Sequence, residues 1–212
     1  MVFDLRSIMP RERVELPQEK LSAYTQHYAK IMQEKFSYIR RDENSKAFDK
    51  IAEYIGVWHA AKKGECDYPK YGLFLFGEPG TGKTTAMQLF SGLCDVDYIT
   101  SAELSKAFSI GGYDAFWQLA DQYKHSHLII DDIGCGDNAK SYGNEVPFVE
   151  FIRERERAWT EGRVCSFFTS NARNRDDVTQ RYGQSVCSRL LGMCEFIQFK
   201  GPDNRDRYRV SR

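Results

Sequence analysis

The residues with the clearest chemical meaning are Gly77-Glu78-Pro79-Gly80-Thr81-Gly82-Lys83-Thr84-Thr85, which fit G-x-x-x-x-G-K-[ST] without a mismatch. Glycines at 77, 80 and 82 free the backbone for conformations that a side chain blocks. Successive N–H groups then turn inward as an anion nest, and the positive end of a following helix adds to it. Lys83 is placed to reach the β- and γ-phosphates of ATP, and the Thr84 hydroxyl to ligate Mg²⁺. The flanks suit this reading. Leu73-Phe74-Leu75-Phe76 is an apolar run of strand length, and Ala86, Met87, Leu89 and Phe90 form an apolar helical face.

A second group follows at His127-Leu128-Ile129-Ile130-Asp131-Asp132, an apolar strand ending in two carboxylates. Downstream of a phosphate loop this is a Walker B arrangement. Asp131 is expected to hold Mg²⁺ directly or through water, and Asp132 to orient or activate the attacking water. The strand Val164 to Ser170 ends in Asn171, which beside the acidic strand is within reach of the hydrolytic water or the γ-phosphate. Read alone, an Asn after a strand is a turn residue.

The elements that must position these groups follow from periodicity. Strands are predicted near Leu73, Tyr98, Ile129, Phe167 and Ile197. Helices are predicted over Gln18–Ile39, from Asn44 or Ser45 to about Ala61, from Ser101, over Tyr113–Tyr123, Val146–Trp159 and Asp176–Tyr182, and from Val186 to Met193. Ser109 to Gly112 is expected to break the helix that starts at Ser101. Phe116 and Trp117 read first as part of a pair of packed helices; with Lys106 or Lys124 they would also suit stacking on single-stranded DNA. Gly134 to Pro147 reads as a long polar loop. Arg153-Glu154-Arg155-Glu156-Arg157 reads as a solvated face or a subunit contact. Tyr68-Pro69-Lys70-Tyr71 is expected near the nucleotide base.

Bulk properties narrow the classes. The 212 residues carry zero formal net charge, 42% hydrophobic and 28% charged residues, which suits one globular core with a small appendage. DNA contact must therefore come from a local patch. The six cysteines form no C-x-x-C pair, so free thiols in a reducing cytoplasm are expected. Neither a signal-peptide layout nor a stretch of membrane-spanning length is found. The division read from the chain is an N-terminal helical segment, residues 1–65, available for partner docking, and a nucleotide-binding domain, residues 66–212.

Taken together, GEPGTGKTT, LIIDDIG with YGN after it, FFTSN and RYGQSVCSRLLGMCEFIQFKGPDNR resemble the AAA+ ATPases of the DnaC/IstB type, bacterial helicase loaders and transposase helpers. The resemblance runs from Tyr71 to Arg207. It implies a three-layer α/β P-loop NTPase fold with five parallel strands in the order 5-1-4-3-2 and no full lid domain. It places Asn171 at sensor 1, makes Arg189 an arginine finger reaching the γ-phosphate of a neighbouring subunit, and makes Arg205 a second, sensor-2-like arginine. Arg181 reads as structural. The acidic pair is Asp-Asp where many AAA+ proteins have Asp-Glu, and the shorter second carboxylate suggests slow hydrolysis.

The function this implies is an ATPase of DNA replication. It would form a homo-oligomer with ATP on single-stranded DNA, engage a replicative helicase, and release it on hydrolysis. The alternative is a transposition helper acting with a transposase on duplex DNA. A small-molecule kinase would leave Asn171 and Ser188-Arg189 without a role, and a non-hydrolysing adaptor would bind nucleotide without releasing phosphate.

Overall fold

The computed structural model describes residues 14–38, 40–134, 140–141, 144–145, 147–162 and 164–203. Its strands are β1 (Gly72–Gly77), β2 (Asp97–Thr100), β3 (Leu128–Ile133), β4 (Lys140–Ser141), β5 (Asn144–Glu145), β6 (Ser166–Ser170) and β7 (Cys194–Phe199). Its α-helices are α1 (Gln18–Phe36), α2 (Ser45–Lys62), α3 (Lys83–Cys94), α4 (Ser101–Asp121), α5 (Phe148–Thr160), α6 (Arg175–Tyr182) and α7 (Gln184–Met193).

Among the described residues the main sheet has the order β2-β3-β6-β1-β7, all parallel. Numbered within that sheet and read from the β7 edge, the order is 5-1-4-3-2, as the resemblance implied. Parallel strands are covered on both faces, so they read as unbroken apolar runs, and alternation sorts their side chains. Leu73, Leu75, Ile129 and Phe167 face a cluster with Phe48, Ile51 and Trp58 of α2 and Phe90 of α3. Phe74, Ile130 and Phe168 face the other cluster, with Leu104, Phe108 and Phe116 of α4, Phe151 of α5 and Leu190 of α7. Phe74, Phe167 and Phe168 are wholly buried. Burial of each such ring stabilises the fold by roughly 2–3 kcal/mol.

Several expectations shift. Helix α1 ends at Phe36, because Ser37 adopts a left-handed conformation (φ 52°) and turns Tyr38 inward. The predicted break in α4 is a kink: within Ser101–Asp121 only Gly112 leaves helical geometry (φ 66°, ψ −151°), a conformation open to glycine. Phe116 lies in the core, leaving that ring no stacking role toward DNA. Most of the predicted loop from Gly134 to Pro147 falls outside the described residues, apart from the short antiparallel β4–β5 pair.

Arg155 overturns the idea of a uniformly solvated charged face on α5. It is 2% exposed, while Arg153 and Arg157 face solvent. Its guanidinium donates to Ser166 Oγ (2.8 Å) and to the carbonyls of Tyr123 (2.7 Å), Ser126 (2.9 Å) and Cys165 (3.2 Å). Burial among these neutral acceptors lowers its pKa to about 10, which leaves it charged at neutral pH.

His127, at the start of β3, packs edge-on against Trp58 and accepts the Cys165 N–H at 2.9 Å. Burial, then the Arg155 charge, lowers its pKa. The unfolded chain therefore takes up the proton first as pH falls. Stability is full above the unfolded value of about 6.5 and declines below it until the folded value is reached. Thermal unfolding of the parent should show a falling midpoint between pH 6.5 and 5. A His127→Gln variant, which keeps an acceptor for Cys165, should show a shallower fall; an identical slope would rule His127 out as the group responsible.

Candidate nucleotide site

The site is built at the carboxyl ends of β1, β3 and β6, where a strand order that reverses direction leaves room for a ligand. The loop after β1 has the predicted shape. Gly77, Gly80 and Gly82 hold φ values of 134°, 72° and 100°, and α3 begins at Lys83 directly after the left-handed Gly82. The Thr81 hydroxyl donates to the Glu78 carbonyl at 2.8 Å and closes the loop on itself. Lys83 is buried, and its Nζ donates to the carbonyls of Gly77 and Glu78, each at 2.8 Å. Pro79 completes the loop, and Thr85 is exposed on the first turn of α3.

The acidic strand meets the loop as predicted. Asp131 is 4% exposed, and its Oδ1 accepts from the Thr84 hydroxyl at 3.2 Å and from the Thr169 hydroxyl. Burial first, then hydrogen bonding to the Asp131 carboxylate, raises the pKa of Tyr98 on β2. A buried carboxylate needs such partners, because an unpartnered charge is costly to bury. Thr84 and Asp131 thus converge as hard oxygen donors at the mouth of an anion-binding loop. That donor set fits Mg²⁺, which favours a carboxylate, a hydroxyl, waters and phosphate oxygens.

Asp132 sits where the β3–β6 register shifts between Ile130 and Ile133. Its φ of 56° is a left-handed conformation that side chains disfavour, and such a conformation persists only when the surroundings hold it. They do here. The Asp132 N–H donates to Thr169 Oγ1 (2.7 Å), its carbonyl accepts from the Ser101 hydroxyl (2.7 Å), and its Oδ1 accepts from Asn171 Nδ2 (2.9 Å). The structure therefore brings together Lys83, Thr84, Asp131, Asp132 and Asn171.

Arg189 belongs to another cluster. It lies on α7, half-buried, with its Nη1 bonded to Glu156 of α5 and its Nε buried without a partner. Arg181 donates to the Gly134 carbonyl, one residue beyond β3. It lines a cleft of about 570 Å³ that also includes Asn171, Arg173 and Asp177. Arg205 lies outside the described residues.

Sequence reasoning misses Thr169, Tyr98, Ser101 and Tyr38. The first three come from different strands and helices and meet only in the fold. Tyr38 packs its ring on Phe48 and reaches the Gly82 carbonyl at 3.4 Å, which makes it an aromatic neighbour of the phosphate loop. Tyr68 and Tyr71, expected near the base, are at the amino end of β1, on Trp58 and near Trp159. The length of that strand, about 20 Å at 3.3 Å per residue, separates them from the loop.

A three-layer sheet in this order, with a phosphate loop after its first strand and carboxylates at the end of its third, is a P-loop NTPase fold. Among solved structures it is similar to the crystal structure of DnaI, with a TM-score of 0.56 and 18% identity, covering 90% of this chain and 94% of that one. It is also similar to the crystal structure of the DnaC helicase loader, with a TM-score of 0.54 and 16% identity, covering 87% of this chain and 100% of that one. At these identities the likeness establishes the fold. No protein-family model and no curated protein matches the sequence.

Proposed function

We propose that the protein is an AAA+ ATPase of the DnaC/IstB type that acts in DNA replication as a helicase-loader-like switch. ATP with Mg²⁺ occupies the Gly77–Thr85 loop. The ATP-bound chain forms a homo-oligomer on single-stranded DNA in the cytoplasm and engages a replicative helicase, and hydrolysis ends the engagement. The observation that carries this is the joined set Thr84–Asp131 and Asp132–Asn171 at one sheet edge. A small-molecule kinase would leave Asn171 and the Ser188-Arg189 pair without a role. The fold shared with the DnaC helicase loader supports a helicase rather than a transposase as partner.

In this reading Lys83 leaves the loop carbonyls to meet the β- and γ-phosphates, with Thr84 and Asp131 holding the metal. When bound, the ion neutralises charge on the phosphate oxygens. Asp132 accepts a hydrogen bond from the attacking water, and Asn171 fixes that carboxylate in place. Arg189 completes the site of a neighbouring subunit, and Arg205 acts as a second arginine. The N-terminal segment, residues 1–65, serves partner docking through α1, which buries only Tyr28 and Met32 whereas α2 lies deep in the core.

Lys83→Ala is the direct test. Losing charge-assisted bonds to phosphate costs about 3 kcal/mol, so affinity for a fluorescent ATP analogue should fall roughly 10²-fold with the melting profile retained. Unchanged affinity would sink the nucleotide reading. Stimulation of phosphate release by single-stranded DNA, together with capture of a hexameric helicase in a non-hydrolysable analogue, would support the finer assignment. Stimulation by duplex DNA with a transposase would move it to the alternative.

A further inference from the structure

The last described residues come back to the phosphate loop. Strand β7 ends at Phe199 flush against the end of β1: a Cβ placed on Gly77 would lie 2.1 Å from the Phe199 carbonyl oxygen. The chain then turns at Gly201, whose φ of 130° is open to glycine, and Pro202 limits the freedom of the next step. This short tether sets the Asp203 carboxylate directly over Gly80. A Cβ on Gly80 would meet Asp203 Oδ1 at 1.7 Å, Cγ at 2.2 Å and Oδ2 at 2.8 Å. A carboxylate thus rests on a loop whose geometry attracts anions, at the amino end of α3, whose dipole adds to the attraction. Lys83 meanwhile is folded back onto Gly77 and Glu78.

We infer that Asp203 is a built-in competitor for the terminal phosphates. Its carboxylate covers the loop at Gly80 and leaves when a nucleoside triphosphate enters. Residues 200–203 therefore change position with nucleotide occupancy. The inference rests on the nucleotide-binding reading of the loop and adds to it a device that lowers apparent affinity by the fraction of chains in which Asp203 has swung clear.

Two measurements on the full chain test it. In the first, hydrogen exchange is followed without nucleotide. Asp203→Asn keeps the side-chain volume and removes the charge, so amides of the loop from Gly80 to Thr85 should exchange several-fold faster than in the parent. Unchanged exchange overturns the inference whether or not nucleotide binds. In the second, mantATP is titrated into both proteins. The variant should bind roughly 3- to 10-fold more tightly, the gain expected when a competing closed state is removed. Equal or weaker binding overturns the inference, and weaker binding would place Asp203 among the groups that hold the ligand. Failure of the parent to bind mantATP would sink the nucleotide reading, while the exchange result still decides whether Asp203 covers the loop.

Discussion

Arg155→Ala should cost about 3–5 kcal/mol of folding stability, from buried acceptors left without a donor together with the void left by the side chain. The reason lies in what the guanidinium holds. It joins α5 to the Ser166 hydroxyl at the start of β6, to the Cys165 carbonyl beside it, and to the Tyr123 and Ser126 carbonyls of the turn before β3. Those are the amino ends of the two strands whose carboxyl ends carry Asn171 and Asp131. Truncation leaves several acceptors without a donor, each costing about 1–3 kcal/mol if water cannot reach it, and opens a void in the interior. Lysine should rescue little, since one ammonium cannot span the forked set of acceptors. Denaturant unfolding of the parent, Arg155→Ala and Arg155→Lys gives the comparison. A loss below 1 kcal/mol for the alanine variant would show that water replaces the guanidinium.

That residue also shows why some of the structure is legible in sequence and some is not. Lys83 and Thr84 stand out because their chemistry requires a fixed local spacing on a strand–loop–helix unit, and Asp131 because it lies at the end of an apolar strand downstream of that unit. The sheet is legible because parallel strands are apolar on both faces, so Leu73–Phe76 and Leu128–Ile130 announce themselves. Arg155 sits inside an alternating charge run that looks solvated, yet the run was open to a second reading. With Phe148, Phe151, Ile152 and Trp159 it lies on one helical stripe, and a charge on an apolar stripe signals a buried, hydrogen-bonded group. Thr169, Tyr98 and Ser101 carry no such mark, because their role is to reach Asp131 and Asp132 across strands and helices distant in sequence. Tyr38 was hidden by a helix pattern that runs on through Ile39, and nothing local announces the left-handed turn at Ser37. Asp203 lies in the terminal GPDNR stretch of the resemblance, which says nothing of its position; only the Gly201-Pro202 turn sets its carboxylate over Gly80.

Arg189→Ala should lower ATP turnover by about 10³-fold under conditions where the protein assembles, because a guanidinium supplied to the transferring phosphoryl is worth at least that much. Nucleotide affinity should change little, since the isolated chain bonds Arg189 to Glu156 and its own phosphate loop has Lys83. The Glu156 contact gives the test its control. A half-exposed ion pair is worth about 0–1 kcal/mol, so it can hold the finger in the free chain and still yield to a phosphate on the next subunit. Glu156→Gln removes the holding charge and leaves the finger intact. Its assembled turnover should match the parent, and full turnover should be reached at equal or lower protein concentration. A contact that merely braces α5 against α7 predicts the opposite pattern: both variants lose stability alike, and neither changes turnover per assembled subunit. Measuring turnover against protein concentration for the parent and both variants, with unfolding midpoints alongside, separates the two. Parent-like turnover in assembled Arg189→Ala would remove this arginine from the chemistry.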